Sequence, residues 1–226
     1  IATIATVSAE SIAPLAAEDI EDYRAKAIEA YQLEPQGGAG SDYRIWSADA
    51  QGVLRVYPYA RLGYPNEVIV YVEATIADSS DGKGTPTQAV LDDVAAVIEF
   101  DPDTTKPLNE RGRRPLGLFN VTVRPVAILD IDIVFTNFVG ITPAIKTSIL
   151  NAVTAFLVTT RPFVASADVL ANKNDIISIN NLTFVILEAE PNSVFDSFDL
   201  LVDSVSVPTL TLLDGNIPDL DTITYV

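Results

Sequence analysis

The sequence predicts an α+β fold, because helical and strand-like patterns occur in separate stretches and do not alternate regularly. In residues 18–32, apolar side chains recur every three or four residues, which is the spacing of an amphipathic helix. In residues 67–74, valines occupy every second position, which is the spacing of a strand with one apolar face. The most apolar stretch, 126–139, carries Asp130 and Asp132 at its centre and is too short to span a membrane, so it predicts a buried strand.

Composition argues against several classes of function. The chain has 226 residues, of which 48% are hydrophobic and 20% charged, so it can fold around a core. Its net charge of −17 repels phosphate backbones, which argues against nucleic-acid binding and is explained by solubility alone. Histidine and cysteine are both absent, which excludes a Ser-His-acid triad and a thiolate nucleophile. We expect a non-enzymatic protein without cofactor, metal or membrane insertion.

The first half of the chain is predicted to hold three helices and two strands. Thr85 and Gln88, with Pro86 between them, predict a capping box that opens the third helix. The predicted elements are an extended N-terminal segment at 1–14, a helix at 18–32, a helix capped by Ser41 and ending near Ala50, strands at 53–59 and 67–74, and a helix ending near Glu99 with Val90, Val94, Val97 and Ile98 facing the core.

The second half is predicted to hold one helix and mainly strands. Thr142 and Pro143 are typical of a helix start, with Ile145, Ile149, Val153 and Phe156 facing inward. The predicted strands are 118–126, 129–138, 181–189, 200–207, 209–213 and a short final strand. In 129–138, alternation puts Leu129, Ile131, Ile133 and Phe135 on one face, and Asp130 and Asp132 on the other.

The order strand, Thr-Pro, helix, Arg-Pro occurs twice, ending at Arg114-Pro115 and at Arg161-Pro162. This recurrence is the pattern that a duplication leaves, and it predicts two small α+β modules, 15–125 and 126–226, after the extended segment 1–14. Chance recurrence of a common helix-start dipeptide explains the pattern equally well.

Two patterns in the sequence resemble catalytic or ligand-binding sites. Asp130 and Asp132 lie two strand steps apart, about 7 Å, which is within the range of an inverting glycosidase pair. A solvated strand face explains them better, because nothing in the sequence raises the pKa of one carboxyl. The run from Asp78 to Thr85 resembles a phosphate or calcium loop, but its spacing fits neither, so it predicts a flexible loop.

The loop Asp101–Arg114 is long for a compact domain and mixes acids with arginines. Loops of this length are often used for binding, and the alternative is a mobile excursion with weak internal ion pairs.

An ordered set of residues resembles the baseplate J family of contractile-tailed phages. No single motif in the set is specific, and the resemblance extends over about residues 18–226. The set comprises the acidic segment 18–24, the break Pro35–Gly38, Asp42-Tyr43 and Trp46, Gly52-Val53, Arg55–Pro58, Val68–Val72, Arg114–Gly117, Thr122–Val126 and Asp214–Pro218.

Two features depart from the family pattern. The family often has Gly-Gly-x-Asp-x-Glu before the first helix, whereas the corresponding segment Pro14–Glu18 has no glycine. The N-terminal half of a full-length member has no counterpart, and Met is absent, so we expect a processed chain or a piece of a longer protein.

The resemblance implies a wedge protein of the tail baseplate that links the central hub to peripheral parts and transmits the rearrangement that triggers sheath contraction. It implies contacts with hub, sheath-initiator-like and further wedge proteins, self-association into dimers or rings, and a place in the virion after assembly in the host cytoplasm. The candidate interfaces are 1–14, Asp101–Arg114 and the C-terminal strand. The alternatives are a cellular, tailocin-like injection device and, with less support, a glycan-binding or glycan-cleaving tail module.

Overall fold

The structure is a computed structural model that describes residues 37–226 and, before them, only Ile20 and Arg24, which are both helical. The predicted segment 1–14 and most of the predicted helix 18–32 lie outside the described residues. The described helices are α1 (Gly40–Ser47), α2 (Gln88–Glu99), α3 (Pro143–Thr159) and α4 (Ile179–Ala189). The described strands are β1 (Val53–Ala60), β2 (Glu67–Ala74), β3 (Asn120–Pro125), β4 (Ala127–Thr136), β5 (Ile176–Ser178), β6 (Ser197–Val202), β7 (Val205–Ser206), β8 (Thr209–Thr211) and β9 (Asn216–Tyr225). The α+β prediction is confirmed.

The first sheet has the order β1-β2-β3, with β2 antiparallel to β1 and parallel to β3. Helices α1 and α2 pack on it around Val70 and Val72, which have no exposed surface. The four α2 residues predicted to face the core are all buried, because a helix presents positions three and four apart on one side.

The second sheet has the order β7-β6-β4-β9, with β4 antiparallel to β6 and parallel to β9. Alternate residues Ile131, Ile133 and Phe135 of β4 are fully buried and form a core with α3 and α4. Strands β5 and β8 form a separate antiparallel pair beside this core.

The chain passes from one sheet to the other through Val126, which lies between β3 and β4. The Val126 amide donates to the carbonyl of Val72 in the first sheet, at 3.0 Å. The next amide, of Ala127, donates to the carbonyl of Gly215 beside the second sheet, at 3.1 Å. The two sheets therefore meet at this point, and a third small core surrounds Val126.

Two helix starts differ from the prediction. Thr87, not Thr85, caps α2, because its hydroxyl accepts from the Val90 amide while Pro86 forms a strand-like bridge with Ser79. Ser41 is buried inside α1, whose N-cap is Ala39, two residues earlier than predicted, and the helix ends at Ser47 rather than near Ala50. The predicted start at Thr142 and Pro143 is confirmed, with the Thr142 hydroxyl accepting from the Ile145 amide at 3.3 Å.

The prediction of a strand at 181–189 is wrong, because this segment is helix α4. Its β-branched and aromatic residues favour a strand locally, but Leu182 and Ile186 are spaced by one helical turn and are both fully buried. Tertiary packing therefore decides its conformation.

The C-terminal strands also differ from the prediction. Segment 200–207 is a hairpin of β6 and β7, since Asp203 and Ser204 adopt positive φ angles of 48° and 67° at its turn. The predicted short final strand is the ten-residue β9, which pairs with β4 along almost its whole length.

Candidate functional site

Among the described residues, a group of buried charged side chains joined by hydrogen bonds and ion pairs lies where the two sheets meet. Glu73, on β2, has a side chain that is only 2% exposed and pairs with Arg161, which follows α3. Arg161 places Nη2 2.9 Å and Nε 3.0 Å from Oε1 of Glu73. Its Nη1 also donates to the carbonyl oxygens of Leu157 and Thr160, at 2.7 and 2.9 Å. The pair therefore ties the first sheet to the C-terminal end of α3.

Tyr57 completes the environment of the Glu73 carboxylate. Its hydroxyl donates to Oε2 of Glu73 at 2.5 Å, and its ring is fully buried on β1. Burial, with the neighbouring Glu73 carboxylate, raises the pKa of Tyr57 well above its usual value. Glu73 is thus a hydrogen-bonded, charge-paired carboxylate, which is the arrangement that a buried charge requires.

A second ion pair lies beside the first. Arg44, on α1, pairs with Asp168, and its Nε donates to the carbonyl of Val56 at 3.2 Å. Asp168 also accepts from the Val164 amide at 2.6 Å. Arg44 therefore joins the helix of the first sheet to the segment that follows Arg161.

A small polar pocket with a volume of about 50 Å³ lies beside these two ion pairs. This volume accommodates a few water molecules or one small ionic group, and lies far below the hundreds of Å³ typical of drug-sized ligands. Its lining includes Arg44, Arg55, Arg161, Asp168, Asn172 and Asn174.

Close backbone approach to distant segments explains the glycine-rich stretch before α1. A Cβ added at Gly38, whose φ is 115°, would lie 2.5 Å from Cγ of Pro115. A Cβ added at Gly40 would lie 2.9 Å from the backbone oxygen of Ser166. Both glycines are required for contact with distant segments, which goes beyond the chain reversal that the sequence suggests.

Asp130 and Asp132, the two carboxylates whose spacing resembles a catalytic pair, each have a partner on a neighbouring segment. Asp132 accepts from Oγ1 of Thr222 on β9 at 2.5 Å. Asp130, whose side chain is 54% exposed, lies 3.7 Å from Nζ of Lys83. Lys83 also pairs with Asp219 at 2.5 Å, and this bond raises the pKa of Lys83. The arrangement fits a solvated, ion-paired strand face rather than a cleft.

The loop that contains Lys83 has its own internal hydrogen bonds. Oδ1 of Asp81 accepts from the amides of Lys83 and Thr85, at 2.8 and 3.2 Å. The other side of the loop is held by Thr75, which caps a short 3₁₀ turn that ends at Asp78. The loop is therefore tied down locally.

The loop Asp101–Arg114 is held by hydrogen bonds and ion pairs within itself and to a residue that follows α1. The Asp101 amide donates to the carbonyl of Arg111 at 2.7 Å, and Lys106 pairs with the Asp101 carboxylate at 2.8 Å. Arg113 reaches Asp49, which follows α1, at 2.7 Å. The arginines of this loop thus have partners on the protein, and a binding role for the loop stays a prediction.

The sequence analysis does not identify the two buried ion pairs, Glu73–Arg161 and Arg44–Asp168. Alternation along residues 67–74 puts Glu73 on the face opposite the valines, and its buried contacts with Arg161 and Tyr57 show that this face is covered. The available signal was Arg161-Pro162 directly after an amphipathic helix, because an arginine at a helix C-terminus is well placed to bind carbonyl oxygens.

The described residues contain neither an acidic metal cluster nor a membrane-spanning helix. No group of three or more acidic side chains among residues 37–226 is arranged to hold a metal ion. In the same part of the chain, no helix is both long enough and apolar enough to cross a membrane.

Comparisons with known proteins agree with the fold and the family. Residues 35–125 match the family model described as the Baseplate J-like central domain. A 39-residue segment is 44% identical to the putative protein JayE of Escherichia coli (strain K12), and this segment is 17% of the chain and 15% of that protein. The predicted resemblance to the baseplate J family is confirmed.

The fold resembles that of a chain in the cryo-EM structure of the anti-feeding prophage (AFP) baseplate, 6-fold symmetrised. The TM-score is 0.51 at 11% identity, and the similarity covers 89% of this chain. The chain spans 40% of the length of that solved chain. At this level of identity the likeness concerns the fold.

Proposed function

We propose that this chain, a baseplate J family protein with the family's central domain at residues 35–125, is a structural component of the baseplate of a contractile tail. The match of the central domain carries the proposal. The fold similarity to a baseplate chain of the anti-feeding prophage supports it, because the similarity extends beyond the central domain to most of the chain.

The finer role is that of a wedge protein. It links the central hub to sheath-initiator-like and further wedge components, associates with itself in dimers or rings, and resides in the tail baseplate of the virion after assembly in the host cytoplasm. The candidate surfaces are 1–14, Asp101–Arg114 and β9. Strand β9 supports this choice, since it lies at the edge of its sheet and presents backbone groups to a partner strand.

The mechanism is mechanical and non-enzymatic. Contact with the host shifts the interfaces between rigid modules, the wedges rearrange and the sheath contracts. We propose that the modules are 15–125 and 126–226. Separate hydrophobic cores under the two sheets support this division.

The equivalent component of a cellular, tailocin-like injection device is the second candidate, and the similarity to the anti-feeding prophage favours it. The two candidates differ in their genetic surroundings, because a cellular device has no capsid genes. A glycan-cleaving tail module predicts activity that Asp132→Asn abolishes, and an assay of both proteins on host glycans distinguishes that alternative.

A pull-down of the tagged chain from producing cells, with mass spectrometry of the captured proteins, tests the proposal. We expect sheath, hub and wedge proteins to be recovered. Capture of none of them, with the chain monomeric and alone, would overturn the baseplate assignment.

A further inference from the structure

Helices α3 and α4 pack against each other on one face of the second sheet, and this helix layer is apolar on both of its sides. Its inner side belongs to the buried core of that sheet. Its outer side carries four large apolar side chains that are 38–69% exposed, namely Leu150, Val158, Phe184 and Leu187. A helix with apolar residues on all sides is typical of a fully covered position. The outer side therefore has the composition of a surface that a partner covers.

The outer side of this helix layer is also almost free of charge. Lys146 is the only charged residue among the exposed residues of α3, and Glu188 is the only one among those of α4. The Lys146 ammonium group lies 4.8 Å from the centre of the Tyr225 ring on β9. Residues 133–167, which include α3, contain no acidic residue, although the chain has 31 Asp and Glu residues. The layer thus differs in charge from the rest of this acidic chain.

We propose that the outer side of α3 and α4 is the contact surface between two copies of this chain. With a net charge of −17, two copies repel each other on approach, except where an uncharged face meets an uncharged face. In a twofold contact the same surface of both copies meets itself, so the absence of like charges favours this helix layer over the acidic surfaces. The proposal rests on the self-association that belongs to the proposed function, and it names the surface that forms it.

The size of the surface fits a weak dimer. Helix α3 has 17 residues and α4 has 11 residues. At about 1.5 Å per residue and about 10 Å per helix diameter, the layer presents on the order of 500 Å² per copy. Two copies therefore bury on the order of 1,000 Å², which is near the lower limit for a specific interface. We expect the dimer to depend on concentration.

Sedimentation equilibrium of the full chain, from about 10 µM to about 1 mM, tests the proposal. The average mass is expected to rise from that of a monomer toward that of a dimer. Leu150→Glu is expected to weaken dimerisation about tenfold or more, because it places like charges on both sides of the contact. A wild-type chain that stays monomeric over this range would overturn the proposal.

Leu116→Glu is the matched control, because it adds the same charge at a fully exposed leucine outside the two helices. It is expected to leave dimerisation unchanged. Glu is a good helix former, so α3 is retained in Leu150→Glu, and circular dichroism of both variants checks this. Equal weakening by the two variants, or weakening by Leu116→Glu alone, would place the contact elsewhere and overturn the proposal.

Cross-linking gives a second measurement that does not depend on a charged variant. The chain has no cysteine, so Thr154→Cys introduces a single thiol on the exposed side of α3. A short bismaleimide is expected to join two copies through this thiol at concentrations where the dimer forms. Ser80→Cys, at an exposed loop residue, is expected to give little cross-linked product. Equal yields from the two variants would overturn the proposal.

A different occupant of the helix layer would be recognised in the pull-down. If Leu150→Glu loses a captured tail protein that Leu116→Glu retains, and the wild-type chain is monomeric, that protein occupies the layer and the second-copy proposal is overturned. The sedimentation experiment uses the isolated chain, so absence of a dimer leaves the baseplate function in place. Failure of the pull-down with intact dimerisation removes the baseplate function and leaves the contact surface in place.

Discussion

Glu73 and Arg161 are 88 residues apart in the sequence and form a bidentate ion pair between the first sheet and the end of α3. The Glu73 carboxylate also accepts from the Tyr57 hydroxyl, and the Arg161 guanidinium also donates to two carbonyl oxygens. Both charges are thus held from several sides. This pair joins the first sheet to the segment that follows α3.

Glu73→Gln removes the negative charge and keeps the shape of the side chain. Because Arg161 then stays largely buried without its counter-charge, we expect a loss of about 3–5 kcal/mol in the free energy of unfolding. Urea denaturation followed by tryptophan fluorescence measures it.

Glu99→Gln is the control for this loss, since Glu99 pairs with Arg114 at 3.0 Å but both side chains are more than a third exposed. An exposed pair contributes about 0–1 kcal/mol. The account is contradicted if the two variants lose the same stability.

Gly215→Ala tests the close approach of the two sheets. A Cβ at this position would lie 2.5 Å from Cβ of Tyr71, and the φ of 72° adds backbone strain. We expect a loss of about 1–3 kcal/mol beyond the strain, because the buried contact must open. Gly63→Ala is the matched control, with a φ of 80° and no atom within 4 Å of the added Cβ. Equal thermal stability of the two variants would show that the sheets do not meet as described.

Tyr43→Phe tests the alkaline limit of stability. Burial, with the neighbouring Asp42 carboxylate, raises the pKa of the Tyr43 hydroxyl from 10.0 to about 12. The contribution of this group is therefore complete below pH 10 and is lost as the pH rises through 12, since the unfolded chain releases the proton first. The variant is expected to lose less stability than the wild type between pH 10 and 12 in urea titrations. Tyr64→Phe, at a half-exposed ring, is the control, and an equal benefit from it would contradict the assignment.

Phe135→Ala tests the core of the second sheet. The Phe135 ring is fully buried and stacks on Tyr225 at 5.2 Å, within a cluster of aromatic rings. We expect a loss of about 3–5 kcal/mol by chemical denaturation. Phe184→Ala, on α4, is expected to change stability by less than about 0.5 kcal/mol, because that ring is 69% exposed. A large loss at Phe184 would mean that α4 packs on a different face.

The sequence predicts the elements whose signal is local. The alternation along β4 and the helical spacing along α2 predict the buried residues of both elements, such as Ile131 and Val94, because burial follows directly from the period. The Thr142 cap is predicted for the same reason, since its hydroxyl bonds an amide three residues away.

The remaining features depend on contacts between distant segments. Segment 179–189 has a local preference for strand and becomes a helix because Leu182 and Ile186 pack in the core. Glu73 lies on a polar face that becomes buried only where the sheets meet. The ion pairs of Arg44 and Arg161 join segments that are far apart in the sequence, so no local pattern contains them.

Cryo-EM of particles purified from producing cells, combined with mass spectrometry of the same fraction, tests the central claim most directly. The account predicts that the chain is present in the particles and that the fold of residues 37–226 fits density in the baseplate, at the end of the tail. Absence of the chain from intact particles, or density for it only in the capsid, would contradict the account.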